Sequence, residues 1–460
     1  MKRTRPAAVH PPFREDVIFL EVLMKLHFFT LKDIEDYRRR YPNNPVISQA
    51  IEEAHPRTPE ELDQAFFYRI VKGPLKVPDG IFESKIFGET GYPGLRLDFN
   101  FGLRLDVPEG DFHVRVSDFD SGQIFFDKNI SGGRLLSVEN YFIRWHVEVF
   151  LSGKKIFTHT LSLEGRPVAV MFKTGLLGDT IALLPYLRAF KEVHRCDLSF
   201  YAFKHMRELV AHLYPDIPLL DPMDFKKYAT YYPIMLLSSL PLSAGDIRSV
   251  SMIRMGGEFL GVNYLPTKAK FKPTAPPITN EPYVCIAVQS GMARKCWLYP
   301  NGWDIVVDYL KRLGYRVFCI DKNAEQTGDG LTIRKPAGAQ DFTGDRPLLE
   351  RANMLYHAEF FVGLSSGLSW LANAVDCPVV MIFGFSQDWF EFYTPYRVAN
   401  RLVCNGCLND RCVSYLMKKC PYHEGTPREL ECQKKISPRM VINAIERLIV
   451  DKNLTPPALR

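Results

Sequence analysis

Between residues 166 and 383 the apolar positions follow two recurring patterns. Uninterrupted runs rich in β-branched and aromatic residues, at 167–172, 283–288, 316–320, 359–362 and 379–383, lack polar alternation. That is the texture of strands buried on both faces of a parallel sheet. Segments of helical period lie between them, at 180–193, 303–313, 348–357 and 368–375, and a further strand is predicted at 197–200. The strand–helix–strand order is broken once, by a Lys- and Pro-rich stretch at 267–282 that reads as a linker. The pattern therefore predicts two α/β halves with a cleft between them.

Upstream the period changes. Residues 95–101, 112–116, 123–126 and 145–150 alternate apolar and polar positions, with turn signals between them such as Pro108-Glu109-Gly110-Asp111 and Ser131-Gly132-Gly133. This predicts a small antiparallel barrel or sandwich over 76–165. Residues 1–75 read as helical, with Thr58-Pro59-Glu60-Glu61 as a capping-box start, and suit a packing domain or an oligomer contact. The expected division is thus 1–75, 76–165, 166–275 and 276–460, the last containing a cysteine finger at 401–435.

Composition narrows the class. The chain has 460 residues, 46% hydrophobic and 24% charged. That excludes intrinsic disorder, a collagen-like repeat and a small disulfide scaffold. The net charge of +6 is too mild to call for nucleic acid. The apolar run 17–31 is interrupted by Glu21, Lys25 and His27, and the run 364–385 carries Asp376 and Pro378. Neither fits a signal sequence or a membrane span, so the expectation is a cytoplasmic protein with reduced thiols.

The cysteines change the picture more than the charge does. Cys196, Cys285, Cys296, Cys319 and Cys377 are scattered, whereas Cys404, Cys407, Cys412, Cys420 and Cys432 crowd into one polar segment. A C-x-x-C pair followed by further thiols matches tetrahedral metal binding. The favoured ligands are Cys404, Cys407, Cys420 and Cys432, with Cys412 and His423 in reserve. Four protein ligands leave no open position, which makes the site structural; zinc and iron both suit thiolates. The alternatives are free thiols, or a redox pair at Cys404 and Cys407.

Three further motifs each leave a predicted strand. In Lys173-Thr174-Gly175-Leu176-Leu177-Gly178-Asp179-Thr180, two glycines permit close approach of a substrate and Asp179 is placed to act as a base, or simply to cap the helix. The loop Gln289–Trp297 holds Lys295 and Arg294 beside Gly291, a set suited to a diphosphate or merely to solvent. In Val362–Trp370, Ser365, Ser366, Gly367 and Leu368 open a helix whose amides can hold a phosphate or be capped by the serines. Asp321, at the end of a strand, can meet a ribose hydroxyl or cap a loop, and Asp341-Phe342-Thr343-Gly344 precedes another helix. All sit where ligands bind in α/β sheets, at the carboxyl edge.

Together Gly178-Asp179 with Pro185, the Lys295/Trp297 loop and the 363–370 helix start resemble the ADP-heptose glycosyltransferases of the lipopolysaccharide type. In those the third motif usually reads D-T-G-x-x-H; here the matching positions are Ser365, Ser366, Gly367 and Trp370. Over roughly residues 76–450 the chain is more similar to the bacterial autotransporter heptosyltransferases. The residues that carry this are Gly363–Trp370, Pro395–Val398, Cys404-Asn-Gly-Cys407 with Asn409-Asp410, Cys420-Pro421 and Glu431-Cys432. The resemblance implies a GT-B fold and an inverting transfer of heptose from ADP-heptose to serine hydroxyls of an autotransporter passenger. It also implies one iron per subunit on the cysteine finger, with zinc as the alternative, and a ring-shaped homo-oligomer, a dodecamer among the sizes in view. On this basis Asp179 is the base, and Thr174, Gly175 and Gly178 shape the sugar side. Gln289, Lys295, Asp321 and Ser365–Leu368 line the donor site. The competing reading is a lipopolysaccharide core heptosyltransferase.

Overall fold

The structure is a computed structural model and describes residues 39, 68–71, 86, 88–100, 102–137, 142–172, 175–220, 230–234, 250–328, 330–410 and 419–459. The expected helical leader, with its Thr58 start, lies outside them apart from Arg39 and Tyr68–Val71. The latter is a strand paired antiparallel with residues 134–137, so the helical reading to residue 75 is corrected there. Its β-branched pair Ile70-Val71 favours an extended backbone.

The C-terminal half is a six-stranded, all-parallel sheet. Numbered by their appearance in the chain, from Tyr283–Ile286 to Arg397–Val398, its strands run in the order 3-2-1-4-5-6. The four strands Tyr283–Ile286, Arg316–Cys319, Phe360–Leu364 and Val379–Ile382 are buried along nearly their whole length, as uninterrupted apolar runs require. Helices Gly302–Arg312, Leu348–His357 and Pro438–Asp451 cover the sheet. Its strand order reverses between Tyr283–Ile286 and Phe360–Leu364, which places the crevice between the loops that leave these two strands.

In the N-terminal half the parallel strands Pro167–Phe172, Asp197–Tyr201 and Thr230–Ile234 pair with the first of them in the middle. The helix after it is interrupted at Leu184: Leu177–Leu183 precedes Pro185–His194, because Pro185 has no N–H to continue the ladder.

Strands upstream of residue 165 divide between two sheets. Ile124–Ile130, Phe112–Asp118, Trp145–Leu151 and Lys154–Thr160 form an antiparallel four-stranded sheet. Arg96–Asn100, Arg104–Val107 and Gly133–Ser137 instead extend the N-terminal parallel sheet, through pairing of Phe99 and Asn100 with Thr230 and Tyr231. Hydrogen bonds therefore cross the boundary expected at 165, and one apolar core runs through both parts.

The linker is strapped to both halves. Lys268 pairs with Asp376 at 2.6 Å, the Thr274 N–H donates to Asn353 at 2.8 Å, and the His212 ring bonds the Lys272 carbonyl at 2.7 Å. Among the described residues no helix is long and apolar enough to cross a membrane.

Candidate active site

The two halves meet where the first and third motifs face each other. A Cβ on Gly178 would lie 2.9 Å from the Trp370 ring and 3.5 Å from the Gly367 Cα. A Cβ on Gly367 would lie 2.9 Å from the Leu177 side chain and 3.3 Å from the Gly178 nitrogen. Only glycines let the helix starts at Leu177–Leu183 and Gly367–Ala374 come this close. Asp179 is half-buried in the first turn of the former. It is not the N-cap that the sequence allowed: Leu176 holds that position, with no side-chain capping bond. A carboxylate in the first turn of a helix interacts favourably with the helix dipole. Gly175 is half-buried, and its carbonyl receives the His205 ring at 3.1 Å. Thr174 lies outside the described residues.

Opposite, Ser366 takes the N-cap position of helix Gly367–Ala374 but makes no capping bond, and Ser366, Gly367 and Leu368 remain partly open. The Ser369 N–H turns back to the Ser366 carbonyl at 3.1 Å, and Ser366 caps none of the first-turn amides with its side chain. Ser365 behaves differently. It is buried and donates its hydroxyl to Glu391, whose other carboxylate oxygen accepts the Trp370 indole N–H at 2.8 Å. The expected phosphate contact by Ser365 is thus replaced by an internal bond that fixes the ring packed on Gly178. Glu391 escaped the sequence reading. Its signal is a lone carboxylate inside the aromatic run Trp389-Phe390-Glu391-Phe392, which once buried must find donors. Arg397 supports it by donating to the carbonyls of Asp388, Glu391 and Phe392.

Lys295 closes a short helical turn and is half-buried, its ammonium 4.9 Å from the Phe385 ring centre. No carboxylate pairs with it among the described residues. The Gln289 side chain is committed to bracing, donating to the Asn323 carbonyl at 2.7 Å. Asp321 also serves the loop. It is 2% exposed, and its oxygens accept the Val288 N–H at 2.7 Å and the Gln289 N–H at 3.3 Å. Burial pushes its carboxyl up to about 6, against the pull of those amides. The loop cap, rather than the ribose contact, describes this geometry. Asp341 likewise accepts from the Thr343 N–H at 2.8 Å, within its own turn.

The cysteine segment packs beneath the same edge. Its Gly406 and Leu408 N–H groups donate to the carbonyls of Gly384 and Phe385, both at 2.8 Å, in the loop leaving strand Val379–Ile382. Cys407, Cys420 and Cys432 are buried and Cys404 partly so. Burial pushes the Cys407 thiol up to about 11 and the Cys432 thiol up to about 12. Charge on Cys404 and Cys420 bears on both, and charge on Cys407 on Cys432, so the four sulfurs are electrostatic neighbours. Such a set of thiols suits a thiophilic cation, whose charge stabilises thiolates that burial disfavours. Yet no group of three or more ligating side chains is drawn together tightly enough to hold an ion among the described residues. Cys412 lies outside them. His423 stands 3.8 Å from Glu431, which also accepts the Cys404 N–H at 3.0 Å.

A Rossmann-type sheet with a basic loop at its switch point, facing a carboxylate and a tight glycine turn on a second α/β half, is the layout of a GT-B glycosyltransferase. Residues 263–423 match the family model described as glycosyltransferase family 9 (heptosyltransferase), and residues 91–153 match that of the N-terminal domain of glycosyltransferase TibC. The autotransporter heptosyltransferase BAHTCr of Citrobacter rodentium is 41% identical over 372 residues, 78% of this chain and 90% of that protein. The crystal structure of dodecameric iron-containing heptosyltransferase TibC with ADP-D-beta-D-heptose superposes with a TM-score of 0.76 at 37% identity, covering 82% of this chain and all of that one. An inactive autotransporter heptosyltransferase, BimC of Burkholderia thailandensis, is 32% identical over 373 residues, 78% of this chain and 87% of that protein. The chain belongs to the autotransporter heptosyltransferases.

Proposed function

We propose that this chain transfers heptose from ADP-heptose to serine hydroxyls of an autotransporter passenger, with inversion at the anomeric carbon and Asp179 as base. The observation that carries the reading is the Gly178–Gly367 contact, which sets the first-turn carboxylate of one half beside the partly open helix start of the other. A serine hydroxyl is a weak nucleophile at neutral pH, and a carboxylate that takes its proton during attack lowers the barrier. The serine oxygen bonds to the anomeric carbon as the bond from that carbon to the diphosphate oxygen breaks. The proton passes to Asp179, and ADP leaves as an anion. Lys295 and the amides at Ser366–Leu368 neutralise the charge that builds on the diphosphate, without needing a general acid. Gly175 and Gly178 border the sugar, and the family resemblance assigns Thr174 to the same side.

Cys404, Cys407, Cys420 and Cys432 would hold one structural iron, with zinc as the alternative. The metal would tie the cysteine segment to the sheet edge below the donor loop. The protein would work in the bacterial cytoplasm as a ring-shaped homo-oligomer, as the dodecameric relative suggests. A passenger acceptor is preferred to a lipopolysaccharide core because the curated relatives are named for autotransporters.

The test offers labelled ADP-heptose with either a serine-bearing passenger or a lipid core acceptor. Transfer to the passenger alone is expected, and Asp179→Asn should abolish it while ADP still binds. Lipid-only transfer would overturn the acceptor assignment, and an active Asp179→Asn would remove Asp179 as base.

A further inference from the structure

The loop bearing Lys295 is clamped by a residue from the cysteine segment. Gln433 follows Cys432 directly and is fully buried. Its side-chain amide donates to the Arg294 carbonyl at 2.6 Å, and its own carbonyl accepts the Leu298 N–H at 3.2 Å. One residue thus grips the loop on both sides of Lys295. The Arg294 carbonyl belongs to the peptide unit that ends in the Lys295 nitrogen, and that unit is planar. The Lys295 N–H is itself held by the Met292 carbonyl at 3.0 Å. Fixing this plane at both ends sets the direction in which the Lys295 side chain leaves the backbone.

On the other side, Cys432 is wedged against Gly384, where a Cβ would lie 2.7 Å from the Cys432 carbonyl oxygen. The Lys295 ammonium lies over Phe385, the next residue. The cysteine segment, the Gly384–Phe385 loop and the Lys295 loop therefore form one packed unit.

We propose that Gln433 is a positioning residue for donor binding: its amide holds the Arg294–Lys295 peptide in the orientation that aims Lys295 at a nucleotide diphosphate, so that the docking of the cysteine segment is felt as donor affinity. This rests on the reading of Lys295 as a diphosphate ligand. A purely structural glutamine would behave differently on substitution. The Gln433 Oε1 is buried without a partner among the described residues. Replacing the amide by an apolar chain of the same length removes that orphaned acceptor while also taking the donor from the Arg294 carbonyl, two effects of opposite sign that largely offset in overall stability.

The experiment uses the full-length, metal-loaded assembly and compares wild type, Gln433→Met and Lys295→Ala. ADP affinity is measured by calorimetry, and transfer kinetics at varied ADP-heptose. Gln433→Met is expected to weaken ADP binding and raise the donor KM by about tenfold, the scale on which one charge-assisted contact of Lys295 is lost by misaim. Its kcat at saturating donor, metal content, assembly size and melting temperature should match wild type, the pattern of a loss in uniform binding. Wild-type ADP affinity in Gln433→Met together with a loss in Lys295→Ala would overturn the clamp alone. Unchanged ADP affinity in Lys295→Ala would overturn the underlying reading of the loop. Loss of metal or assembly in Gln433→Met, in step with ADP affinity, would reduce Gln433 to a structural residue and end the proposal. If Gln433→Met does not fold, Gln433→Asn, one methylene too short to reach the carbonyl, carries the same test.

Discussion

Replacing Gly178 by alanine adds one methyl group at the junction of the two halves. The new Cβ would sit 2.9 Å from the Trp370 ring, short of the ~3.5–4.0 Å of ordinary carbon contact. The ring cannot easily yield. Trp370 is 3% exposed, and its indole N–H is held by Glu391 at 2.8 Å. Swinging it away would break a hydrogen bond to a buried carboxylate, worth about 1.5–3 kcal/mol. Overpacking at such a point costs about 1–3 kcal/mol, while alanine returns up to about 1 kcal/mol of helix propensity relative to glycine. The net cost then lies within about 0–3 kcal/mol, centred on ~1.4 kcal/mol, or roughly a tenfold effect. It is relieved if the halves part, so it should appear mainly as a fall in kcat/KM for transfer from ADP-heptose, with a small drop in melting temperature. Kinetics and a thermal scan on the same preparation read both. A Gly178→Ala protein with wild-type kcat/KM and melting temperature would refute the close approach of the two helix starts.

Three other outcomes follow from contacts away from the reacting atoms. Glu391→Gln puts an amide NH₂ where a carboxylate oxygen accepts from Ser365 or Trp370; a loss of about 1.5–3 kcal/mol in unfolding free energy is expected, and an unchanged denaturation midpoint would count against the network. Gly384→Ala drives a Cβ to 2.7 Å from the Cys432 carbonyl oxygen; backbone cannot step aside, so the metal proposed for Cys404, Cys407, Cys420 and Cys432 should fall relative to wild type on metal analysis of the purified variant, and a wild-type metal content would contradict the docking. Asp321 has its folded-state carboxyl raised to about 6 by burial, above its unfolded value of ~3.9. Its contribution is therefore fully present below pH ~4 and lost as pH rises through about 6. Urea unfolding should show the stability of wild type relative to Asp321→Asn falling across that window, and a pH-independent difference would contradict the shift.

Much of the site was legible because its parts are local. A parallel strand buried on both faces needs an unbroken apolar run, so each strand end, and hence Gly178-Asp179, Lys295 and Ser366-Gly367, could be placed at the carboxyl edge before any packing was known. The roles of individual polar groups were less accessible. Asp179 looked like a cap because the helix starts two residues earlier, behind an apolar Leu176. Ser365 looked like a phosphate ligand because its partner, Glu391, comes from the next strand's loop.

The sequence alone determined the alternation of strands and helices, the cysteine spacing and the motifs that mark the family. All of these depend on neighbours within a few residues. Only the tertiary structure decided that strands upstream of residue 165 split between two sheets, one of them continuous with the N-terminal half. It alone showed that Asp321 and Ser365 turn inward, and that Gly178 meets Trp370 and Gly367 across the crevice. A polar side chain turns toward whichever donor or acceptor the packed fold leaves unsatisfied beside it, and a glycine is required wherever two backbones must nearly touch. Both conditions are set by residues far away in the chain.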